Sequence, residues 1–102
     1  MEKKKKIILL TGPTASGKTS IAIELCKRMS SAEVISVDSR QFYRGMDIGT
    51  AKPTLQERAE VPHHFIDIAN PHQGINAGEY ARRAKAIIRE LHLRNTIPVL
   101  VG

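Results

Sequence analysis

The sequence has little cysteine and few aromatic residues, and it contains no long apolar run. It has one cysteine, Cys26, and no tryptophan. A single cysteine cannot form an internal disulfide, which excludes a disulfide-stabilised secreted scaffold and favours a reducing, cytoplasmic location. No segment approaches the roughly 20 apolar residues of a membrane span, and no signal peptide precedes the first apolar run. We therefore expect no membrane partner.

The composition is typical of a soluble globular protein. Hydrophobic residues make up 41% and charged residues 25% of the 102 positions, and the net charge is +6. That balance suits a polyanionic partner, although part of it comes from four consecutive lysines at positions 3–6. The length suffices for one small domain but is short for a complete two-substrate enzyme. We predict a single domain over residues 1–102 with no internal boundary, as an N-terminal fragment of a longer enzyme.

Residues 12 to 19 read G-P-T-A-S-G-K-T and match the phosphate-loop pattern G-x-x-x-x-G-K-[ST] without a mismatch. The apolar run at 7–11 before it predicts a strand buried on both faces of a parallel sheet. The helical spacing of apolar residues after it predicts a helix, which then places the motif between a strand and a helix. The apolar positions of that helix are Ile21, Ala22, Leu25, Cys26 and Met29.

The loop residues have separate predicted tasks in binding a diphosphate. Gly12 and Gly17 let the backbone turn so that its N–H groups point at an anion next to a helix N-terminus. Lys18 would reach the outer phosphates, and the Thr19 hydroxyl would complete the shell of a bound Mg²⁺. The predicted diphosphate-binding residues are Gly12, Pro13, Thr14, Ala15, Ser16, Gly17, Lys18 and Thr19. The pattern by itself does not identify the reaction, because kinases, hydrolases and transferases all use it.

The remaining segments predict alternating strands and helices. Strands are expected at 33–37, 63–68 and 97–101, a long loop with one helical turn at 38–53, and a short helix at 54–60. A longer helix should begin at Asn76, capped in a box with Glu79 and presenting its apolar positions at Tyr80, Ala84, Ile87, Ile88 and Leu91. This order predicts an α/β fold of the phosphate-loop NTPase type, a doubly wound parallel sheet flanked by helices and truncated after the fourth strand.

Asp38 follows the second predicted strand, at the same sheet edge as the phosphate loop. A carboxylate there could hold Mg²⁺ through water, act as a general base, or cap a turn, and position alone does not decide among these roles. Gln41 could hydrogen-bond the edge of an adenine, as amides commonly do. His63 and His64 are adjacent and should face opposite sides of a strand, and no other residue is spaced to complete a metal site with them.

Three stretches together resemble one enzyme family. They are G-P-T-A-S-G-K-T, then I-S-V-D-S-R-Q-F-Y-R-G-M-D-I-G-T-A-K-P, then V-P-H-H-F-I-D-I, and with this spacing they closely resemble the tRNA dimethylallyltransferases. Enzymes of that family attach an isopentenyl group to N6 of the adenosine next to the anticodon. The resemblance runs from the first strand to the end of the chain. The helical insertion and the later basic residues of the family, which grip the tRNA, have no counterpart here.

The resemblance implies a role for each candidate residue. Lys18 and the rest of the phosphate loop would hold dimethylallyl diphosphate, with Mg²⁺ on Thr19, and Asp38 would be the general base that accepts a proton from the adenine amine. The segment of Asp38, Ser39, Arg40 and Gln41 would lie against the tRNA nucleotide, which must leave its stack to enter the site. We expect tRNA and dimethylallyl diphosphate as partners, a monomer at full length, and no prenyl transfer by these 102 residues alone.

Three other functions fit parts of the pattern. An adenylate isopentenyltransferase would share the loop and the base but act on free nucleotide, and G-M-D-I-G-T-A-K-P argues against it. A small-molecule kinase would turn over ATP without any prenyl donor. A truncated phosphate-binding fragment would bind but catalyse nothing.

Overall fold

The computed structural model describes residues 6–12, 17–45 and 52–102, with Arg40 described by its backbone alone. Its strands are β1 (Ile8–Leu10), β2 (Ala32–Ser36), β3 (His63–His64) and β4 (Ile97–Val101). Its helices are α1 (Lys18–Arg28), α2 (Leu55–Glu60) and α3 (Ala77–Leu93). None of these three helices is both long and apolar enough to cross a bilayer.

The four strands form one parallel sheet in the order β1-β4-β2-β3. Two hydrophobic cores cover its two faces, and neighbouring residues of β2 belong to different cores because side chains alternate along a strand. Val34 packs with α1, whereas Ile35 packs with α3. The predicted doubly wound parallel sheet is thereby confirmed, and β4 has the predicted bounds 97–101.

Side-chain caps fix where two of the helices begin. Thr54 and Glu57 form a complete capping box at the start of α2, the short helix predicted there. At α3, Asn76 Oδ1 accepts a hydrogen bond from the Glu79 amide at 2.8 Å, as predicted. The other half of the expected box is absent, because the Glu79 carboxylate pairs with Arg83 at 2.8 Å instead.

Strand β1 corrects the prediction that this run is buried on both faces. Leu9 is 64% exposed, although Ile8 and Leu10 pack against the α1 core. The reason is position: β1 lies at the edge of the described sheet and pairs there with β4 alone. Ile21, predicted on the apolar face of α1, is also exposed, and Ile23 is buried in its place.

Strand β3 is shorter than the predicted strand over 63–68. Phe65 and Asp67 have φ values of 68° and 55°, in the left-handed region that a strand does not use. The chain turns there, and its backbone pairs with the segment after β2: the Ile68 amide donates to the Phe42 carbonyl at 2.8 Å and the Arg44 amide to the Ala69 carbonyl at 2.8 Å. The third strand thus ends early because another part of the chain takes over its backbone hydrogen bonds.

Candidate phosphate-binding and nucleotide-binding site

A cavity of about 120 Å³ lies at the carboxyl edge of the sheet. Parallel strands bring the segments that follow them to one edge, which is where open α/β sheets bind their ligands. The cavity wall is built from the start of α1, the segment after β2 and the ends of β3 and β4. Its polar residues are Lys18, Thr19, Ser20, Ser36, Asp38, Gln41 and His63.

The described part of the phosphate loop is closed by Lys18. Its ammonium group donates to the carbonyl of Gly12 at 2.7 Å, so the side chain connects the two ends of the loop. Gly17 immediately precedes α1 with φ of 74°, and a Cβ added there would meet no atom within 4 Å. Glycine is therefore required by the left-handed backbone and not by crowding. The predictions for Pro13, Thr14, Ala15 and Ser16 lie outside the described residues.

The segment after β2 brings its predicted residues to the same cavity. A single 3₁₀ turn at Ser39–Gln41 is closed by the Gln41 amide, which donates to the Asp38 carbonyl at 2.9 Å. Asp38 and Gln41 line the cavity opposite the start of α1, while Ser39 is exposed. The predicted helical turn in this loop is confirmed, and the prediction for the Arg40 side chain lies outside the described atoms.

Ser36, which the sequence did not single out, organises this turn. Its hydroxyl donates to Gln41 Oε1 at 2.8 Å, and its carbonyl accepts from the Tyr80 hydroxyl at 3.0 Å. Tyr80 belongs to α3 and stacks on Phe42 with ring centroids 5.2 Å apart, and burial raises its pKa. A serine at the end of a buried strand carries no signal that distinguishes this role in a sequence.

His63 also lines the cavity, although the sequence favoured a purely structural role. Its Nδ1 lies 2.7 Å from the Val61 carbonyl and must donate to it, which leaves Nε2 as an acceptor. Nε2 is buried and has no hydrogen-bond partner among the described residues. Burial lowers the pKa of His63, partly offset by the bond to Val61, so the ring is neutral at pH 7.

His64 faces the other side of the sheet and pairs with Glu33 at 2.7 Å, as the alternation predicted. Over residues 6–12, 17–45 and 52–102, no three histidine, cysteine or acidic side chains are arranged to hold a metal. Cys26 is a buried free thiol, as predicted, and burial raises its pKa.

A partly buried ion-pair cluster lies beside the segment after β2, and we call Lys52, Arg58 and Asp67 the Asp67 cluster. Asp67 Oδ1 lies 2.6 Å from Lys52 Nζ, and Oδ2 lies 3.0 Å from Arg58 Nη1. The Lys52 side chain is 8% exposed and also donates to the Tyr43 carbonyl at 2.6 Å. Burial alone would raise the pKa of Asp67, but the hydrogen bond and charge of Lys52, together with Arg58, hold it below its usual value.

A parallel sheet with helices on both faces, and a glycine-bounded loop with Lys18 and Thr19 at the start of α1, define an α/β protein with a phosphate-loop NTPase-like fold. The chain belongs to the IPP transferase family, whose family model matches residues 41–102.

Named relatives and solved structures agree with this membership. The chain is 48% identical over 97 residues to a tRNA dimethylallyltransferase of Caldanaerobacter subterraneus subsp. tengcongensis, covering 95% of the chain and 30% of that protein. It is 52% identical over 99 residues to tRNA dimethylallyltransferase 2 of Syntrophus aciditrophicus, covering 97% of the chain and 32% of that protein. The chain thus spans about a third of the length of the curated relatives it matches.

The crystal structure of the full-length tRNA isopentenylpyrophosphate transferase of Bacillus halodurans superposes with a TM-score of 0.89. That protein is 47% identical, and the match covers 97% of this chain and 33% of that one. A eukaryotic dimethylallyltransferase acting on tRNA superposes equally well at 33% identity, over 97% of this chain and 24% of that one.

Proposed function

We propose that the protein carrying this chain transfers a dimethylallyl group from dimethylallyl diphosphate to N6 of the adenosine next to the tRNA anticodon, with pyrophosphate as the leaving group. One observation supports this most: a single cavity joins the start of α1, which carries Lys18 and Thr19, to Asp38 and Gln41 after β2. Two reactants held in one cavity gain the proximity that a two-substrate transfer requires. The names of the relatives, which are tRNA dimethylallyltransferases, support tRNA as the acceptor.

The α1 side of the cavity would bind the diphosphate. Lys18 lies at the N-terminus of α1, where the backbone N–H groups and the helix dipole favour an anion. On binding, its ammonium group would exchange the Gly12 carbonyl for phosphate oxygens. Positive charge fixed at this point stabilises the negative charge that develops on departing pyrophosphate.

Asp38 would act as the general base. The exocyclic nitrogen of adenine must lose a proton as its bond to the allylic carbon forms, and a carboxylate at the cavity wall can accept that proton. The neighbouring Gln41 carries an amide of the kind that hydrogen-bonds adenine edges.

Mg²⁺ fits this site by the chemistry of its donors. Thr19 and Asp38 offer a hydroxyl and a carboxylate to one cavity, and oxygen ligands are those that Mg²⁺ prefers. Thr19 would hold the ion, and the Asp38 carboxylate would remain the base. A bound Mg²⁺ would neutralise part of the charge on the diphosphate oxygens. We also propose that the protein is a monomer in a reducing, cytoplasmic compartment. The free thiol of Cys26 suits such a compartment.

The test is an acceptor competition with the whole protein in which this chain occurs. Two reactions contain Mg²⁺ and labelled dimethylallyl diphosphate, with unmodified tRNA in one and AMP in the other, and a third reaction contains Mg²⁺ and ATP without any prenyl donor. We expect label transfer to tRNA alone. Transfer to AMP would identify an adenylate isopentenyltransferase, and ATP turnover without the prenyl donor would identify a kinase.

A further inference from the structure

Asp67 contacts three separate parts of the chain. Its carboxylate binds Lys52, at the far end of the loop after β2, and Arg58, on α2. Its backbone amide donates to the Gln41 carbonyl at 3.0 Å. Asp67 therefore connects three parts of the chain: the turn that carries Gln41, the far end of the loop at Lys52, and α2.

The backbone on either side of these contacts is paired as well. Phe42 and Arg44 exchange hydrogen bonds of 2.8–3.1 Å with Ile68 and Ala69. The carbonyl between them, that of Tyr43, accepts from Lys52 at 2.6 Å. The position of residues 41–44 therefore depends on Lys52, and Lys52 is held in turn by the Asp67 carboxylate.

Among the described residues of the phosphate loop, the hydrogen bond that Lys18 donates involves no residue of the Asp67 cluster. Lys18 is held by Gly12 and by its own helix, and none of the Asp67 cluster lines the cavity. Gln41 differs, because its carbonyl is fixed by Asp67 and its side chain by Ser36. Loss of the Asp67 carboxylate should therefore act on the Gln41 side of the cavity, through Lys52 and the Tyr43 carbonyl.

We propose that Asp67 is a positioning residue for the acceptor nucleotide: its carboxylate, which also pairs with Arg58, holds Lys52, and Lys52 holds the segment that places Gln41 in the cavity wall. This inference rests on the proposed function, in which Gln41 lies against the tRNA base. It assigns to the Asp67 cluster a selective effect on the acceptor, because Gln41 lies on the acceptor side of the cavity. Misplacing a group by about 1 Å can lower the reaction rate as much as 100-fold.

The main test is Asp67→Asn in the whole protein. Asparagine tolerates the left-handed backbone of this position, so the substitution removes the charge while keeping the conformation. We expect the KM for tRNA to rise about tenfold, by the same misplacement argument. The KM for dimethylallyl diphosphate should change by less than about twofold. Glu79→Gln is the matched control, because it breaks a carboxylate–arginine pair of 2.8 Å on α3 and should change neither KM.

Coupling to Lys52 separates positioning from general destabilisation. In a double-mutant cycle, the variant that carries both Asp67→Asn and Lys52→Met is compared with the two single variants. Its rise in the KM for tRNA should be far smaller than the product of the two single rises. Equal increases in both KM values, or independent effects of the two substitutions, would overturn the inference. If Asp67→Asn does not fold, Arg58→Gln removes only one of the two cations and should give the same selective rise, at smaller size.

Amide hydrogen exchange keeps this inference separate from the proposed function. Absence of transfer by the unsubstituted protein would contradict the proposed function alone. In that case faster exchange of the Phe42–Arg44 and Ile68–Ala69 amides in Asp67→Asn, with unchanged exchange in α1, supports the positioning role. Unchanged exchange at those amides would overturn it.

Discussion

The two sides of the cavity are held in place by different means. On the α1 side, the groups that position Lys18 are close in sequence: Gly12, Gly17 and the helix that begins at Lys18 itself. On the other side, Gln41 depends on Ser36, on Tyr80 of α3 and on Asp67. The first side is a local structure, and the second exists only when distant segments are folded together.

The two sides should therefore differ in their response to the loss of a distant contact. A local structure persists when a remote contact is lost, because its hydrogen bonds lie within one loop and one helix. An arrangement of several distant segments loses its geometry when one buried charge loses its partner. The following predictions test this contrast, from the largest expected effect to the smallest.

Asp38→Asn tests the second side through chemistry. The substitution keeps the shape of the side chain and removes the proposed base, so kcat should fall by about 10²–10⁴ with little change in either KM. Steady-state kinetics with varied tRNA and prenyl donor measure kcat and both KM values. A kcat close to that of the unsubstituted protein would eliminate Asp38 as the base.

Lys52→Met tests the second side through stability. The Lys52 side chain is 8% exposed, and removing its charge leaves Asp67, whose side chain is 32% exposed, without its nearest cation. We therefore expect a loss of about 2–3 kcal/mol in the free energy of unfolding, below the 3–5 kcal/mol for a fully buried pair. Lys27→Met is the control: it breaks an exposed pair with Glu60 at 3.8 Å and should cost less than about 1 kcal/mol. Urea unfolding of both variants measures the difference, and equal losses would contradict the assignment.

Lys18→Ala tests the local side. One charge-assisted contact to phosphate is worth about 1.5–3 kcal/mol, which corresponds to a rise of about 10–150-fold in the KM for dimethylallyl diphosphate, and turnover should also fall. Affinity for tRNA should remain nearly unchanged, as measured by filter binding without the prenyl donor. Weaker tRNA binding with normal donor kinetics would mean that the loop faces the other substrate.

His63 gives the smallest expected effect, seen in the pH dependence of stability. Its folded pKa lies below its unfolded value near 6.5, so the unfolded state binds the proton first as the pH falls. Stability is therefore complete above about pH 6.5 and decreases below it, by at most about 1.4 kcal/mol per pH unit. His63→Asn should flatten this decrease between pH 7 and 5.5 in chemical denaturation. An identical slope in that variant would show that His63 does not cause it.

Sequence patterns predicted local structure well and long-range arrangement only in part. The bounds of β4 and the Asn76 cap depend on neighbouring residues, which a pattern can represent. The run F-I-D-I after His64 alternates like a strand, yet Phe65 and Asp67 take left-handed conformations. They do so because residues 67–69 pair with residues 41–44, and no local pattern contains that pairing.

Two side chains show the same limit within the candidate site. The sequence predicted that adjacent histidines on a strand face opposite sides. It did not predict that the side with His63 forms part of the cavity wall. Lys52 belongs to the motif that carried the family resemblance, and only the fold shows that it holds Asp67 and the Tyr43 carbonyl. The sequence predicts which chemical groups are available, whereas long-range packing decides where they lie.

The register of β1 affects the order in which the site can form during synthesis. Ile8 pairs with Val99 and Leu10 with Val101, so the strand that leads into the phosphate loop gains its described partner only after residue 101 is translated. A ribosome adding about 5–20 residues per second leaves this strand unpaired for roughly 5–20 s. The phosphate loop is therefore translated well before β4, and a nascent chain stalled before Ile97 would carry β1 without β4, its partner in the described sheet.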